Sequence, residues 1–131
     1  MRIEDLISMA ADARKNAYVP YSNFRVGAAL IMDDGSVYTG CNIENASYGA
    51  TNCAERTAIF KAVSEGHRKI SEICIVGSKE GSFAFPCGIC RQVISEFSDE
   101  NTKVIVAQNA EKYIIRSVEE LIPDAFTPKD L

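Results

Sequence analysis

The apolar positions in the first third of the chain change from helical to strand periodicity. Residues 3–17 carry apolar side chains every three to four positions, which predicts a first helix that Pro20 closes. The runs at 24–32 and 37–43 are rich in apolar residues and flank Asp33-Asp34-Gly35-Ser36, so they are predicted to form a β-hairpin. The small residues Gly27-Ala28-Ala29 leave room for another element to approach the first strand closely.

The rest of the chain alternates between helix and strand patterns. The predicted elements are a loop at 44–52, a helix at 53–65 stopped by Gly66, a strand at 70–76, a loop at 77–85, a helix at 89–97, strands at 103–107 and 113–116, and a short helix opened by a capping box at 117–120 and ended by Pro123. This order predicts an α/β fold with three layers (α/β/α), in which a mixed sheet of about five strands has helices on both faces. The alternating stretch should form right-handed crossovers between parallel strands. Residues 1–131 are expected to form a single domain.

Composition and charge narrow the range of partners. The net charge of -4 and the absence of a basic tract disfavour nucleic acid, which needs concentrated positive charge. No apolar run approaches the roughly 18 residues of a membrane span, and the N-terminus lacks the apolar core of a signal peptide, so no membrane partner is expected. Five cysteines are an odd number, and three have ligand spacing, which favours a reducing compartment and a cytoplasmic location.

Two cysteine clusters carry the candidate chemistry. The first is Cys53-Ala54-Glu55-Arg56, and the second is Pro86-Cys87-Gly88-Ile89-Cys90. Both fall at predicted helix starts, where free N–H groups and the helix dipole favour thiolates. Three thiolates can hold Zn²⁺ with one coordination position left for water, as in catalytic rather than structural zinc sites. Glu55 is the candidate base for that water, so the pattern indicates zinc-assisted hydrolysis.

Arg56 is the candidate for tuning the metal. Three thiolates around Zn²⁺ leave a net charge of -1, which weakens the ion as a Lewis acid. A guanidinium group that donates hydrogen bonds to the sulfurs would restore part of the positive character. This is a hypothesis from the position of Arg56 next to the first cluster.

Simpler interpretations of the same residues remain open. Asn52 and Glu55 fit a helix capping box, which would make the glutamate structural. The three cysteines could belong to a closed zinc site with a fourth protein ligand, for which the candidates are Cys41, Cys74 and His67. Such a site would belong to a zinc-stabilised binding module without catalysis.

The chain resembles the cytidine deaminases of the cytidine/deoxycytidylate deaminase superfamily over nearly its whole length. The segments that carry the resemblance are Pro20-Tyr21-Ser22-Asn23-Phe24-Arg25-Val26-Gly27-Ala28-Ala29-Leu30, Asn42-Ile43-Glu44-Asn45-Ala46-Ser47-Tyr48, Cys53-Ala54-Glu55-Arg56, Pro86-Cys87-Gly88-Ile89-Cys90-Arg91-Gln92-Val93 and Leu121-Ile122-Pro123-Asp124-Ala125-Phe126. The signature with three cysteines and a glutamate that is not a ligand is an established one for zinc deaminases.

The resemblance implies a reaction and a set of roles. The reaction is the hydrolytic deamination of cytidine and 2′-deoxycytidine to uridine and 2′-deoxyuridine with release of ammonia, a step of pyrimidine salvage. One zinc ion per subunit is implied, with Glu55 carrying the proton from water to the base. Phe24 should stack near the pyrimidine, the backbone at Ala54 should bind the base, and Asn42 and Glu44 should bind the ribose hydroxyls.

The resemblance also implies an assembly. The short chain and three cysteine ligands resemble the homotetrameric branch of the family, in which neighbouring subunits complete each active site. Ala46, Tyr48 and Phe126 match positions that reach a neighbour's substrate. A rival is a deaminase of a cytosine-containing antibiotic nucleoside, which shares both cysteine clusters. A nucleotide deaminase is less consistent with the sequence, because the carboxylate of Glu44 would repel a phosphate.

Overall fold

The computed structural model describes residues 1–79 and 81–131 of the chain. Its helices and strands are, in chain order, α1 (Ile3–Ala13), β1 (Val26–Met32), β2 (Val37–Cys41), α2 (Ala54–Ser64), β3 (Ile70–Gly77), α3 (Gly88–Glu96), β4 (Lys103–Asn109), β5 (Lys112–Ser117) and α4 (Val118–Leu121). Short 3₁₀ turns lie at Arg14–Asn16, Tyr48–Ala50 and Pro128–Asp130. Every helix in these two ranges is too short or too polar to span a bilayer.

The five strands form one mixed sheet in the order β2-β1-β3-β4-β5. Strand β1 is antiparallel to both β2 and β3, so β2 and β3 run in the same direction and α2 connects them across β1. Strands β3 and β4 pair in parallel and are connected through α3. The parallel arrangement expected of the alternating stretch is therefore present, while β5 returns antiparallel to β4 through a tight turn.

The sheet separates two apolar clusters, which confirms the three-layer α/β/α prediction. On one face, α1 contributes Leu6, Ile7 and Ala10, which pack with Cys74, Val76 and other residues of the central strands. The opposite face is covered by α2 and α3, whose apolar residues pack on Leu30, Ile73, Ile75 and Val104. Because neighbouring strand residues point to opposite faces and both faces are covered, the middle parts of the central strands are apolar and buried.

Two glycines allow the helices to lie directly on the sheet. A Cβ atom at Gly27 would lie 1.9 Å from the carbonyl oxygen of Ala10 in α1, which explains the small residues at the centre of β1. A Cβ atom at Gly40 of β2 would lie 2.5 Å from the backbone nitrogen of Ala58 in α2. The position of α2, and hence of its N-terminus, depends on this contact.

The element boundaries differ from the sequence prediction at the first helix and the hairpin. Helix α1 ends at Ala13 and a 3₁₀ turn follows, because the chain becomes extended at Ala17. Strand β1 begins at Val26 rather than at residue 24. Strand β2 ends at Cys41 rather than at residue 43, since Ile43 instead bridges to Tyr18 and Asn52. These bridges tie the loop after β2 to the segment that precedes β1.

Candidate metal centre and active site

Two helix N-termini meet at the candidate metal centre. Cys53 is the N-cap residue of α2, and Cys87 is the N-cap residue of α3. Neither side chain accepts a capping hydrogen bond, so both thiols remain available to a ligand. Cys90 lies in the first turn of α3, on the same side as Cys87. The predicted placement of both clusters at helix starts is confirmed.

The three cysteine Sγ atoms all lie within 4.8 Å of one another. The Sγ atoms of Cys53 and Cys87 are 3.9 Å apart, close to the value of about 3.8 Å between two sulfurs in a tetrahedral zinc site. Cys90 is buried, Cys53 is partly buried and Cys87 is exposed. The three sulfurs therefore fit Zn²⁺, and the site runs from the buried Cys90 to the solvent-exposed Cys87.

The structure does not support a closed site with four protein ligands. Among the described residues, no other His, Cys, Asp or Glu joins the three thiols as a metal-binding group. His67 contacts Asp34 instead, with 3.2 Å between Nδ1 and Oδ2. Cys74 lies in the apolar cluster under α1, on the other face of the sheet from α2 and α3. Cys41, whose pKa burial raises, likewise stays outside the group.

Arg56 contacts the sulfur cluster directly. Its Nη2 donates to Cys53 Sγ at 3.2 Å. The pKa of Cys53 falls to about 5, because hydrogen bonds from Cys90 and then Arg56 outweigh the effect of its own burial. Burial alone would lower the pKa of Arg56, but its bonds to Cys53 and Cys90 raise it. The guanidinium is thus held as a cation beside the sulfurs, in the position that the sequence hypothesis required.

Glu55 is a buried carboxyl group beside the cysteines. Its exposed fraction is 4%. Burial raises its pKa to about 7, and the adjacent negative charge of Cys53 acts in the same direction. The capping-box interpretation of this residue is wrong. Cys53, not Asn52, is the N-cap of α2, and the amide of Asn52 donates to the Thr57 hydroxyl at 3.0 Å.

Asn42 and Glu44 hold the chain segment in front of β1. The amide oxygen of Asn42 accepts from the backbone N–H of Val26 at 2.9 Å, and its Nδ2 donates to the Phe24 carbonyl at 2.8 Å. The carboxylate of Glu44 accepts from the Ser22 hydroxyl at 2.5 Å and from the backbone N–H of Ser22 at 3.1 Å. These bonds hold the pKa of Glu44 below its usual range. Both side chains therefore stabilise the backbone before β1, in addition to any contact with a ligand.

The remaining candidate residues divide between the interior and the surface. Ala54 is fully buried at the start of α2, and Phe24 is half-buried against Gly77, where an added Cβ would lie 3.0 Å from its ring. By contrast, Ala46, Tyr48 and Phe126 are exposed. Tyr48 is 75% exposed although its ring lies edge-on to Tyr21, with 5.9 Å between centroids; Phe126 is 59% exposed. The fold thus brings together Cys53, Cys87, Cys90, Glu55 and Arg56. The side chains of Ala46, Tyr48 and Phe126 are exposed to solvent instead.

Two residues that support the cluster were not assigned roles from the sequence. The hydroxyl of Thr57 lies 2.9 Å from the Cys41 carbonyl and 3.1 Å from the Cys53 carbonyl, which fixes the start of α2 against the end of β2. Arg91 donates from Nε to the Pro86 carbonyl at 2.7 Å and braces the loop that carries Cys87. In the sequence, only their positions, one turn after Cys53 and directly after Cys90, indicate that these two residues could support the metal ligands.

A mixed α/β sheet in which two helix N-termini gather three thiols beside a buried carboxyl group defines the class of zinc-dependent deaminases. Residues 1–108 match the family described as "Cytidine and deoxycytidylate deaminase zinc-binding region". The chain belongs to this family, and zinc is its metal.

Curated relatives and solved structures agree with this assignment. The chain is 49% identical to a cytidine deaminase of Sporosarcina psychrophila, over 100% of this chain and 96% of the relative. It is 53% identical to a cytidine deaminase of Halalkalibacterium halodurans, over 96% of this chain and 95% of the relative. The crystal structure of cytidine deaminase from Burkholderia pseudomallei superposes with a TM-score of 0.90 at 46% identity, covering 96% of this chain and 100% of that one.

Proposed function

We propose that this chain is a zinc-dependent cytidine deaminase that converts cytidine and 2′-deoxycytidine to uridine and 2′-deoxyuridine. The reaction consumes one water and releases one ammonia for each nucleoside. The observation that carries the proposal is the buried carboxyl group of Glu55 beside three cysteines that can hold a metal. Relatives of nearly equal length that are named cytidine deaminases support the choice of substrate.

Glu55 is the proposed proton carrier. The zinc ion, when bound by Cys53, Cys87 and Cys90, supplies a Lewis acid that lowers the pKa of a water to about 7. Glu55 takes the proton from this water and passes it to the ring nitrogen next to the carbon that bears the amine. It then assists the departure of ammonia. Burial suits both tasks, because a carboxyl group with a pKa near 7 can accept and return a proton at neutral pH.

Arg56 is the proposed source of positive charge beside the sulfurs. Its bond to Cys53 draws electron density from the thiolate, so the metal keeps more of its Lewis acidity. The same bond fixes the direction in which the Cys53 sulfur points. We therefore assign Arg56 to tuning and holding the metal, not to proton transfer.

The substrate-binding roles follow the family resemblance. We assign stacking on the pyrimidine to Phe24, binding of the base to the backbone at Ala54, and binding of the ribose hydroxyls to Asn42 and Glu44. Glu44 is held ionised by its hydrogen bonds, and an ionised carboxylate accepts hydrogen bonds from sugar hydroxyls. The Asn42 amide uses one donor and one acceptor on the backbone, and among the described residues its other donor and lone pair have no partner.

The proposed assembly is a homotetramer of single-domain subunits, each comprising residues 1–131 and binding one zinc ion. In this assembly Ala46, Tyr48 and Phe126 contact the substrate of a neighbouring subunit. Their exposure in the single chain is consistent with such a role. The exposed fractions of Tyr48 and Phe126 are large for aromatic side chains, which normally bury most of their surface.

We also propose that the protein works in the cytoplasm in pyrimidine salvage. All five cysteines are free thiols, and three of them are needed as thiolates by the metal. An oxidising compartment would favour disulfides at the expense of such a site. Salvage is the use that a cell makes of free nucleosides, which are the proposed substrates.

The direct test is an absorbance assay of purified protein with cytidine, 2′-deoxycytidine and a cytosine-containing antibiotic nucleoside. We expect turnover of the first two and little of the third. In Glu55→Gln we expect turnover to fall about 10²–10⁴-fold, the usual contribution of a proton carrier, with zinc content unchanged. The isosteric amide keeps the shape of the site and removes only the proton chemistry.

The matched control is Glu119→Gln, at an exposed glutamate of α4. It should retain the activity of the unmodified protein. Zinc-loaded protein that leaves both cytidine and 2′-deoxycytidine unchanged would contradict the proposed function. A Glu55→Gln variant that keeps most of its turnover would contradict the proposed mechanism alone.

A further inference from the structure

We propose that Arg91 and Gln92 are positioning residues that fasten the C-terminal segment 121–126 to the metal-binding helix α3. Through this fastening they present Phe126 to the substrate. The proposal rests on the role assigned to Phe126 above. It adds two residues, directly after the ligand Cys90, that couple the metal centre to the tail.

Arg91 bridges the metal loop and the tail with a single guanidinium group. Its Nε donates to the Pro86 carbonyl at 2.7 Å, and its Nη1 donates to the Leu121 carbonyl at 2.7 Å. Pro86 is buried and directly precedes the exposed Cys87, so this bond fixes the peptide that aims the Cys87 thiol. The planar fork of arginine holds both carbonyls at once, whereas a lysine ammonium is a single point donor.

Gln92 fastens the far end of the same segment. Its Nε2 donates to the Phe126 carbonyl at 2.8 Å. The Phe126 side chain itself is 59% exposed, so its own packing holds it only in part. Two consecutive side chains of α3 thus hold the two ends of the segment, at Leu121 and at Phe126.

The backbone between Leu121 and Phe126 contains a turn that needs stabilising contacts. Asp124 has φ 55, in the left-handed region that residues other than glycine enter at a cost. Aspartate tolerates this region better than most residues, but the turn still needs contacts that hold it. Leu121 anchors one end of the turn in the core, and Gln92 secures the other.

The two residues have different expected effects. Among the described residues, the Gln92 side chain hydrogen-bonds to the tail and not to the metal loop, so its loss should loosen Phe126 and weaken substrate binding without disturbing the metal. Arg91 touches both the metal loop and the tail, so its loss should weaken zinc retention as well as substrate binding. A purely structural role in folding would not separate these effects.

The first experiment compares Gln92→Met with Gln108→Met as a matched control. Methionine has a similar length but donates no hydrogen bond. We expect KM for cytidine to rise about three- to tenfold in Gln92→Met, the effect of one lost hydrogen bond, with kcat and zinc content nearly unchanged. Gln108 lies in β4, and among the described residues its side chain makes no hydrogen bond to segment 121–126, so its variant should keep the original KM.

A double-mutant cycle with Phe126→Ala identifies the route of the effect. If Gln92 acts through Phe126, Gln92→Met should raise KM little further once Phe126 is alanine. Fully additive effects on KM would overturn the proposal. Hydrogen exchange at residues 121–126 supplies a readout that needs no substrate, and it should be faster in Gln92→Met than in Gln108→Met.

The second experiment compares Arg91→Met and Arg91→Lys with Arg68→Met. Arg68 is a suitable control because it also donates to two backbone carbonyls, those of Val63 and His67, each at 2.8 Å. We expect zinc loss to a chelator to be faster by about tenfold or more in Arg91→Met, less affected in Arg91→Lys, and unchanged in Arg68→Met.

Unchanged zinc retention in Arg91→Met, or unchanged exchange at 121–126 in Gln92→Met, would overturn the proposal. Neither readout depends on the identity of the substrate. Failure of the proposed function would appear differently, as an unmodified protein that binds zinc and does not deaminate cytidine.

Discussion

The five cysteines of this chain differ in burial, and burial determines which thiols can ionise and react. Cys87 is exposed at a helix start, and Cys53 lies partly exposed at another. Cys74 is fully buried under α1, and burial raises its pKa to about 12. The thiolate is the reactive and metal-binding form, so chemistry is confined to the helix starts.

This difference predicts a labelling order. In zinc-free, folded protein, iodoacetamide should modify Cys53 and Cys87 at the helix starts, while Cys74 should react only after unfolding, because its thiol is neither accessible nor ionised. Mass spectrometry of digested protein after timed labelling measures the order, with zinc-loaded protein as the control in which Cys87 is protected. Labelling of Cys74 as fast as Cys87 in folded protein would contradict the burial described here.

Arg56 provides a second prediction for a single residue. Arg56→Gln should release zinc faster to a chelator and lower kcat, because the sulfurs lose the cation that offsets their charge. We expect an effect of about 10–100-fold on zinc affinity, the usual range for residues that bond to metal ligands. Arg68→Gln, on an exposed arginine, is the control for loss of charge. Equal zinc affinity and kcat in Arg56→Gln and the unmodified protein would refute the tuning role.

At the scale of elements, the site depends on how closely the helices lie on the sheet. The N-terminus of α2 carries Cys53, Glu55 and Arg56, so a displacement of this helix moves a ligand, the proton carrier and the tuning cation together. Gly40 sets that position, because α2 backbone atoms occupy the space where a side chain would be. The site is therefore sensitive to the packing of α2 against β2.

Gly40→Ala should destabilise the protein by about 1–3 kcal/mol, since the added carbon would meet backbone that cannot rotate away. The contacts are with Ala58 N at 2.5 Å and Ala54 O at 2.7 Å. Urea unfolding measures the loss. Gly49→Ala is the control, because nothing lies within 4 Å of the added carbon there. Similar unfolding midpoints for the two variants would show that α2 does not need the close approach.

At the scale of the whole molecule, the question is how a chain of 131 residues encloses a small substrate. Glu55 and Cys90 are buried within the chain, yet Tyr48, Ile89 and Phe126 are more than half exposed. Ile89 lies between Cys87 and Cys90 in the chain, so one of these exposed apolar side chains stands next to the metal ligands. Neighbouring subunits would cover such a surface and exclude water from the reaction.

Light scattering after size exclusion should therefore give about four times the chain mass of 14.3 kDa. A charged residue in the exposed apolar surface, as in Ile89→Glu, should shift the protein towards smaller species and reduce activity with it. Lys112→Glu, on the exposed end of β5, is the control for added negative charge. An unmodified protein that runs as an active monomer would exclude the roles proposed in a neighbour's site for Tyr48 and Phe126.

Two candidate capping boxes show which local contacts can be predicted from the sequence. The capping box of Ser117 and Glu120 was predicted from residue types and is present, because its partners lie three positions apart. The pattern of Asn52 and Glu55 has the same spacing but gives no capping box, because Thr57 takes the Asn52 amide and Cys53 occupies the cap. The same three-residue spacing is compatible with a capping box and with its absence. At Asn52 the contacts of Thr57 with Asn52 and with the end of β2 decide that no capping box forms.

Arg91 and Gln92 are a further case. They stand in a motif that the sequence identifies, but their partners Pro86, Leu121 and Phe126 lie up to 34 residues away. Nothing in the local pattern states which carbonyl a guanidinium or amide will find. Such bonds arise only when the sheet order and the path of the tail are known.

The sequence by itself determined the order of elements, the apolar central strands, the two helix starts with their cysteines and the glutamate beside them. These features depend on periodicity and short spacings, which are properties of neighbouring residues. Only the tertiary structure decided that 3.9 Å separates the sulfurs of Cys53 and Cys87, that Glu55 is buried and that Arg56 reaches Cys53. Those facts depend on how two helices cross one sheet, because a distance between residues far apart in the chain is set by packing rather than by local preference.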